Sequence, residues 1–207
     1  MKNLLLIQPK SFLRKIYPRA TWKINTTDKT IFISFDDGPI PGLTEWVLDE
    51  LKKYNAKATF FCVGANILKH EAVFERLKKE NHRVANHTMS HIKGFRNNVK
   101  DYLTEVELCK KLVGNNLFRP PYGQLKRNQY KALQEKGYKI IFWDVISYDY
   151  ENISEKRCLD NVIKNTKNGS IVLFHDSLKA EKNLRFVLPL FLKHFANLHF
   201  EFKALQL

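Results

Sequence analysis

Ile31-Phe32-Ile33-Ser34-Phe35-Asp36-Asp37-Gly38-Pro39 is an apolar run that stops abruptly at two carboxylates and a turn. β-Branched and aromatic residues bounded by Asp, Gly and Pro read as a short strand buried on both faces. The layout recurs along the chain. A helix pattern through Trp46, Val47, Leu48 and Leu51 ends near Asn55, and an apolar run follows at 58–63. A helical stretch around Val73, Phe74 and Leu77 comes next. Further strand candidates lie at 83–86, 117–119, 139–143 and 170–174, separated by helix patterns at 102–113, 128–136 and 154–168. Ser154 suits the N-cap of the last of these and Gly169 its stop. A final helix over 184–195 leads into 198–204, which alternates apolar and polar as a half-exposed strand does.

Seven strand starts (31, 58, 83, 117, 139, 170 and 198) therefore recur at the spacing of strand-helix units. Serial units of that kind favour parallel strands with outer helices. An open doubly wound sheet and a barrel both satisfy the order.

Composition narrows the class. With 207 residues, 44% hydrophobic, and only 8 Gly and 7 Pro, the chain is neither disordered nor collagen-like, and one domain is large enough to bury its own core. The three cysteines, Cys62, Cys109 and Cys158, show no C-x-x-C spacing, so neither a thiolate zinc site nor a disulfide framework is expected. Cys62 sits in the run 58–63 and reads as a buried free thiol. No apolar run approaches the roughly 18 residues of a membrane span. The N-terminus starts like a signal peptide, but its apolar core of four residues falls short of the roughly 7 to 15 required. The expected location is accordingly cytoplasmic or peripheral at a membrane.

Net charge is +14, from 35 Lys+Arg against 21 Asp+Glu. Residues 1–27 form a basic N-terminal extension, with the domain proper at 28–207. Lys2, Lys10, Arg14, Lys15, Arg19 and Lys23 are interleaved there with Phe12, Leu13, Ile16 and Tyr17. Such a segment reads first as a solvated basic face with a few residues packed on the domain, and otherwise suits an anionic membrane surface or an acidic polymer. No DNA- or RNA-binding motif accompanies the charge, so nucleic acid is not an expected partner.

Polar residues cluster at the strand ends. Asp36-Asp37 end the first strand, and His87, with His91 four residues on, ends the third. Arg119 closes the fourth, Asp144 the fifth and His175-Asp176 the sixth. In parallel α/β folds these ends converge on one rim that holds ligands and catalytic groups. Each cluster alone has a plainer reading: a turn at Asp36–Pro39, structural histidines, a rigid Arg119-Pro120-Pro121 segment. The i, i+4 spacing of His87 and His91 aligns two imidazoles on one face of a helical turn, and a nearby carboxylate completes a set able to hold a divalent metal with open positions. Water at such a metal has its pKa lowered towards about 7. A second carboxylate can take its proton, and another histidine can protonate a leaving group. The implied chemistry is metal-assisted hydrolysis.

Ser34-Phe35-Asp36-Asp37-Gly38-Pro39, His87-Thr88-Met89-Ser90-His91, Arg119-Pro120-Pro121-Tyr122 and Leu173-Phe174-His175 resemble, in order, the motifs of the polysaccharide deacetylases, carbohydrate esterase family 4, with their NodB-homology-type domain. The likeness runs from about residue 28 to 180. It implies an α/β fold, a distorted (β/α) barrel of about seven parallel strands with outer helices. It further implies Asp36 as general base, Asp37, His87 and His91 as metal ligands, and Arg119 as the group that orients Asp36. The backbone N–H of Tyr122, beside Pro121, would stabilise the oxyanion. Leu173 would line the acetyl pocket, and His175 would be the general acid. The metal implied is one divalent ion, Zn2+ in first place with Co2+ or Ni2+ as alternatives.

One motif departs from the family pattern of an acidic residue, two spacers and Asp-Trp. In Trp143-Asp144-Val145-Ile146-Ser147-Tyr148-Asp149-Tyr150 the first acidic position is Ile146 and the Trp position is Tyr150. Asp149 is the expected partner of His175, with Asp144 as its rival. Trp143 and Tyr150 are expected to contact substrate. The implied activity is removal of acetyl from an N-acetylated amino sugar in a poly- or oligosaccharide. The alternatives are deformylation or deacetylation of a lipid-linked amino sugar or small amide at a membrane face, or a basic glycan- or nucleic-acid-binding protein with a vestigial metal site.

Overall fold

The computed structural model describes residues 7–9 and 11–206. The signal-like start at residues 1–6 and the basic residues Lys2 and Lys10 lie outside them. Strands β1 (Thr30–Asp36), β2 (Ala58–Cys62), β3 (Arg83–Asn86), β4 (Leu117–Phe118), β5 (Lys139–Ile140), β6 (Val145–Ile146), β7 (Ile171–His175) and β8 (Glu201–Phe202) succeed one another along the chain. Between and around them run α1 (Ser11–Ile16), α2 (Leu43–Lys52), α3 (Gly64–Lys69), α4 (Glu71–Lys79), α5 (Val99–Val113), α6 (Arg127–Glu135), α7 (Glu155–Asn165) and α8 (Glu181–Asn197).

The strands pair in the order β5-β4-β3-β2-β1-β7-β6, all parallel, and β8 pairs with the start of β1. Seven strands thus form a curled half-barrel wrapped by helices, which decides between the two architectures in favour of the distorted barrel.

The apolar run at β1 follows from burial on both faces. Ile31, Ile33 and Phe35 point outward and pack with Ala58, Phe60, Val172 and Phe174 under helices α2 and α8. Phe32 points inward, among Phe61, Ala85, Leu117, Ile141 and Ile171. Each large apolar side chain so removed from water contributes about 1.5–3 kcal/mol. With period two, Phe32, Ser34 and Asp36 share the inner face, so the interior turns from apolar to polar towards the strands' C-terminal ends.

Three sequence expectations change in the structure. The run 139–143 is not one strand. Ile141 still donates to the Phe118 carbonyl in β4, but Asp144 donates to Ile171 in β7, so the intervening residues cross the barrel's open seam. The extended run at 198–204 shrinks to β8, because His199 takes a left-handed φ of 61°. Helix α7 is capped by the Ser154 side chain as expected but ends at Asn165. Gly169 instead makes the turn into β7, where a Cβ would sit 2.0 Å from the Ile24 carbonyl oxygen.

The N-terminal segment fills the seam. Thr21 pairs with Ile141, and Lys23 with Ser170. The Phe142 ring is stacked 4.2 Å from Trp22 and 5.2 Å from Tyr17, both buried. Arg14 reaches Asp144 at 3.1 Å, while Phe12 and Ile16 stay exposed. Cys62, Cys109 and Cys158 are all free and buried. No helix among the described residues is long and apolar enough to cross a membrane.

Candidate active site

Arg119 anchors the polar end of the barrel. It is wholly buried, its guanidinium 4.0 Å above the Phe61 ring. Nε donates to the Ile141 carbonyl at 3.3 Å, and Nη2 to that of Phe142 at 3.0 Å. Nη1 donates to Ser34 Oγ at 2.9 Å and to Asp36 Oδ1 at 2.7 Å. The Ser34 hydroxyl in turn donates a hydrogen bond to the Val172 carbonyl at 3.0 Å. The polar residue inside the first apolar run therefore faces the arginine. Burial lowers the Arg119 pKa, and the Asp36 charge opposes that effect.

Asp37, the next residue, turns the other way through a φ of 84°. Its Oδ1 lies 3.1 Å from His91 Nε2 and 3.8 Å from His87 Nε2. The three ligand atoms offered by Asp37, His87 and His91 lie within 4.8 Å of one another. His87 Nδ1 donates to the Arg119 carbonyl at 2.8 Å, which leaves the Nε2 lone pair towards both Asp37 and Asp36, whose Oδ2 lies 3.7 Å away. Burial is the chief cause that pushes His87 down to about 4, so its imidazole is neutral near pH 7. Burial raises the Asp37 carboxyl, yet its hydrogen bond to His91 and the neighbouring histidines bring it well below the usual range. One carboxylate and two imidazoles suit a divalent ion with open positions.

The two histidines do not share a helical turn. Thr88 and His91 have φ of 65° and 53°, and residues 87–93 form a loop that places the rings 5.0 Å apart. Buried Asn86 accepts from the Thr88 N–H at 2.9 Å, and Glu105 on α5 accepts from the Ser90 N–H at 2.7 Å. Sequence reading passed over both, since an Asn ending a strand and a Glu on a helix carry no distinguishing spacing.

Across the pocket, His175 Nδ1 lies 2.8 Å from Asp149 Oδ1, and the His175 backbone N–H donates to Asp149 Oδ2 at 2.8 Å. Burial lowers the imidazole pKa, but the Asp149 charge and hydrogen bond outweigh it, with help from Asp37 and Asp36, and His175 is pushed up to about 9. Asp144 makes no contact of this kind. Its carboxylate accepts from Ser170 Oγ at 2.7 Å and pairs with Arg14.

Asp36, Asp37, His87, His91 and His175 line a cavity of about 720 Å³ together with Trp143, Ile146, Leu173, Tyr122 and Tyr150. The Tyr122 ring lies 4.7 Å from that of His91, and the Tyr150 ring 4.6 Å from that of His175. Pro121 is buried in the turn that presents Tyr122. A cavity of similar size at the strands' opposite ends, lined by Tyr54, Lys57, Phe200 and Lys203, holds no histidine.

The family model for polysaccharide deacetylase matches residues 23–141. The chain belongs to the polysaccharide deacetylase family. A peptidoglycan-N-acetylglucosamine deacetylase of Bacillus cereus is 36% identical over 166 residues, which cover 76% of this chain and 77% of that one. The peptidoglycan-N-acetylmuramic acid deacetylase PdaC of Bacillus subtilis is 33% identical over 162 residues, 74% of this chain but 33% of its relative. Among solved structures, a peptidoglycan N-acetylglucosamine deacetylase in complex with 4-naphthalen-1-yl-N-oxidanyl-benzamide superposes with a TM-score of 0.83 at 29% identity, covering 94% of both chains. The enzyme is thus a deacetylase, a hydrolase of carbon–nitrogen bonds other than peptide bonds. In this deacetylase four of the quoted motifs send residues, Asp36, His91, Tyr122 and His175 among them, into one cavity, whereas Asp144 lies at the start of β6 beside Ser170.

Proposed function

We propose that the enzyme removes acetyl from N-acetylated amino sugars of a peptidoglycan-type glycan, releasing acetate and a free amine. One observation carries this reading: Asp36 and His175 flank a single pocket around the Asp37–His87–His91 group. A base and an acid on either side of a metal-ligand set is what amide hydrolysis requires.

Asp37, His87 and His91 would hold one divalent ion, Zn2+ in first place; when bound, it supplies Lewis acidity towards the amide carbonyl and the attacking water. Asp36, with Oδ1 held by Arg119, takes a proton from that water on its other oxygen. The tetrahedral intermediate then collapses only if the nitrogen is protonated. His175 gives that proton from Nε2, because Asp149 occupies Nδ1. Leu173 and Tyr150 close the pocket where the acetyl methyl sits, with Trp143 as a sugar-facing wall.

Two lysines support a carboxylate-bearing glycan as substrate. Lys93 lies 4.6 Å over Tyr122, and Lys179 lies 5.3 Å over Tyr150, on rings that line the pocket. Glu151 is the acidic residue on that lining outside the site itself. The deciding experiment measures acetate release from peptidoglycan strands, neutral acetylated chito-oligomers, and formylated or lipid-linked amino sugars. Turnover only on the last group would overturn the proposal in favour of a lipid-linked substrate.

A further inference from the structure

Asp176 follows His175 at the end of β7, is 1% exposed, and has no place in the chemistry above. Strand alternation sends its side chain away from the pocket that His175 lines. Its carboxylate lies instead beneath the turn that carries Asp37. Oδ1 accepts the Gly38 N–H at 3.1 Å, and Oδ2 accepts the Thr44 hydroxyl at 2.5 Å. The Thr44 oxygen in turn accepts from the Ile40 N–H at 2.8 Å, so its proton is directed at Asp176. The Asp176 backbone N–H donates to the Asp36 carbonyl at 3.1 Å.

Those contacts fall on both sides of one residue. The Asp36 carbonyl belongs to the peptide plane before Asp37, and the Gly38 N–H to the plane after it. Asp176 therefore grips both planes whose rotation defines the φ and ψ of Asp37. A non-glycine residue at φ 84° is uncommon and persists only where its surroundings impose it. Asn66 Nδ2 completes the hold by donating to the Asp37 carbonyl at 2.7 Å. The fit leaves no slack: a Cβ on Gly38 would lie 2.0 Å from Asp176 Oδ2.

We propose that Asp176 is a positioning residue for Asp37, holding the turn in the conformation that aims the Asp37 carboxylate at His87 and His91. This rests on Asp37 being a metal ligand. Because Asp176 adjoins His175, one strand end then fixes both the acid and a ligand on the neighbouring strand.

The test is Zn2+ affinity, measured on the full chain by competition with a chromophoric chelator, alongside the melting temperature of the metal-free protein. Asp176→Ala removes the acceptor for Gly38, and affinity is expected to fall about 10- to 100-fold, as for other residues that orient a ligand. Asp176→Asn keeps an oxygen for Gly38 and should stay within a few-fold of the parent. Thr44→Val, a milder change, should weaken binding several-fold and serves where Asp176→Ala does not fold. A folded Asp176→Ala, or failing that Thr44→Val, with parental Zn2+ affinity would overturn the proposal. Asp37→Ala runs in parallel: if it retains parental affinity, the ligand assignment itself fails, and the role of Asp176 with it.

Discussion

Asp36 and His175 are direct register partners across β1 and β7. Parallel strands lie about 4.7–4.9 Å apart, and paired residues face the same side of the sheet. The separation of the Asp36 and His175 backbones is therefore a property of the sheet, not of a loop. Ser34 and Leu173 are paired two residues earlier on the same faces, one beneath Arg119 and the other lining the pocket.

His175→Ala should cost most where the leaving group needs a proton. On an N-acetyl sugar the loss is expected at about 10²- to 10⁴-fold. On an aryl acetate, whose phenolate departs unaided, the loss should be much smaller. The amide-to-ester rate ratio measures this, and an unchanged ratio with a lowered melting temperature would assign His175 a structural role.

The pH profile follows from the same pair. A general acid acts only when protonated, so with His175 raised to about 9 the rate should decline as pH climbs through that region. A bound cation offsets the part owed to Asp36 and Asp37 but leaves the Asp149 contact in place. Asp149→Asn should shift the alkaline limb to lower pH, towards the ordinary histidine value near 6.5. A limb that does not move in this variant would refute the pairing's role in catalysis.

Base and ligand can be separated across one peptide bond. Asp36→Asn should retain most of its Zn2+ and lose turnover, because a carboxamide takes no proton from water. Asp37→Ala, His87→Ala and His91→Ala should lose metal first, each removing one donor of the three. Metal content by elemental analysis beside turnover distinguishes the two classes, and the opposite pattern would exchange the roles of Asp36 and Asp37.

Substrate charge should be read by the rim. Lys179→Gln combined with Lys93→Gln should raise KM for carboxylate-bearing glycan strands and leave kcat/KM on neutral chito-oligomers nearly unchanged. Added salt should weaken the parent's preference in the same direction. Equal effects on both substrates would rule out a charge-reading rim.

Much of this site was legible because strand ends are conspicuous in sequence. A buried run stops where the backbone leaves the sheet, and Asp36, His87, Arg119 and His175 each stand at such a stop. What was hidden depended on partners distant in sequence. Residue type does not separate Asp149 from Asp144 and only the motif likeness ranked them; the fold brings the one to His175 and the other to Arg14 and Ser170. The helical-turn reading of His87 and His91 used spacing alone and missed two left-handed residues stabilised by contacts from Asn86 and Glu105. The split of 139–143 was equally unreadable, because an apolar run crossing a seam resembles one that continues a strand.

The pairing of β1 with β8 bears on how the chain is made. Thr30 and Ile31 meet Glu201 and Phe202, while the rest of β1 meets β2 on one side and β7 on the other. Ribosomes deliver about 5–20 residues per second, so the central strand waits on the order of ten seconds for its later neighbours. During that interval one edge of an apolar strand is open to any passing backbone. Contacts so far apart in sequence also slow folding itself, towards milliseconds to seconds. The strand that carries Asp36 and Asp37 is among the first made and the last to be fully enclosed, and a nascent chain of this enzyme should depend on chaperone cover until β7 and β8 have emerged.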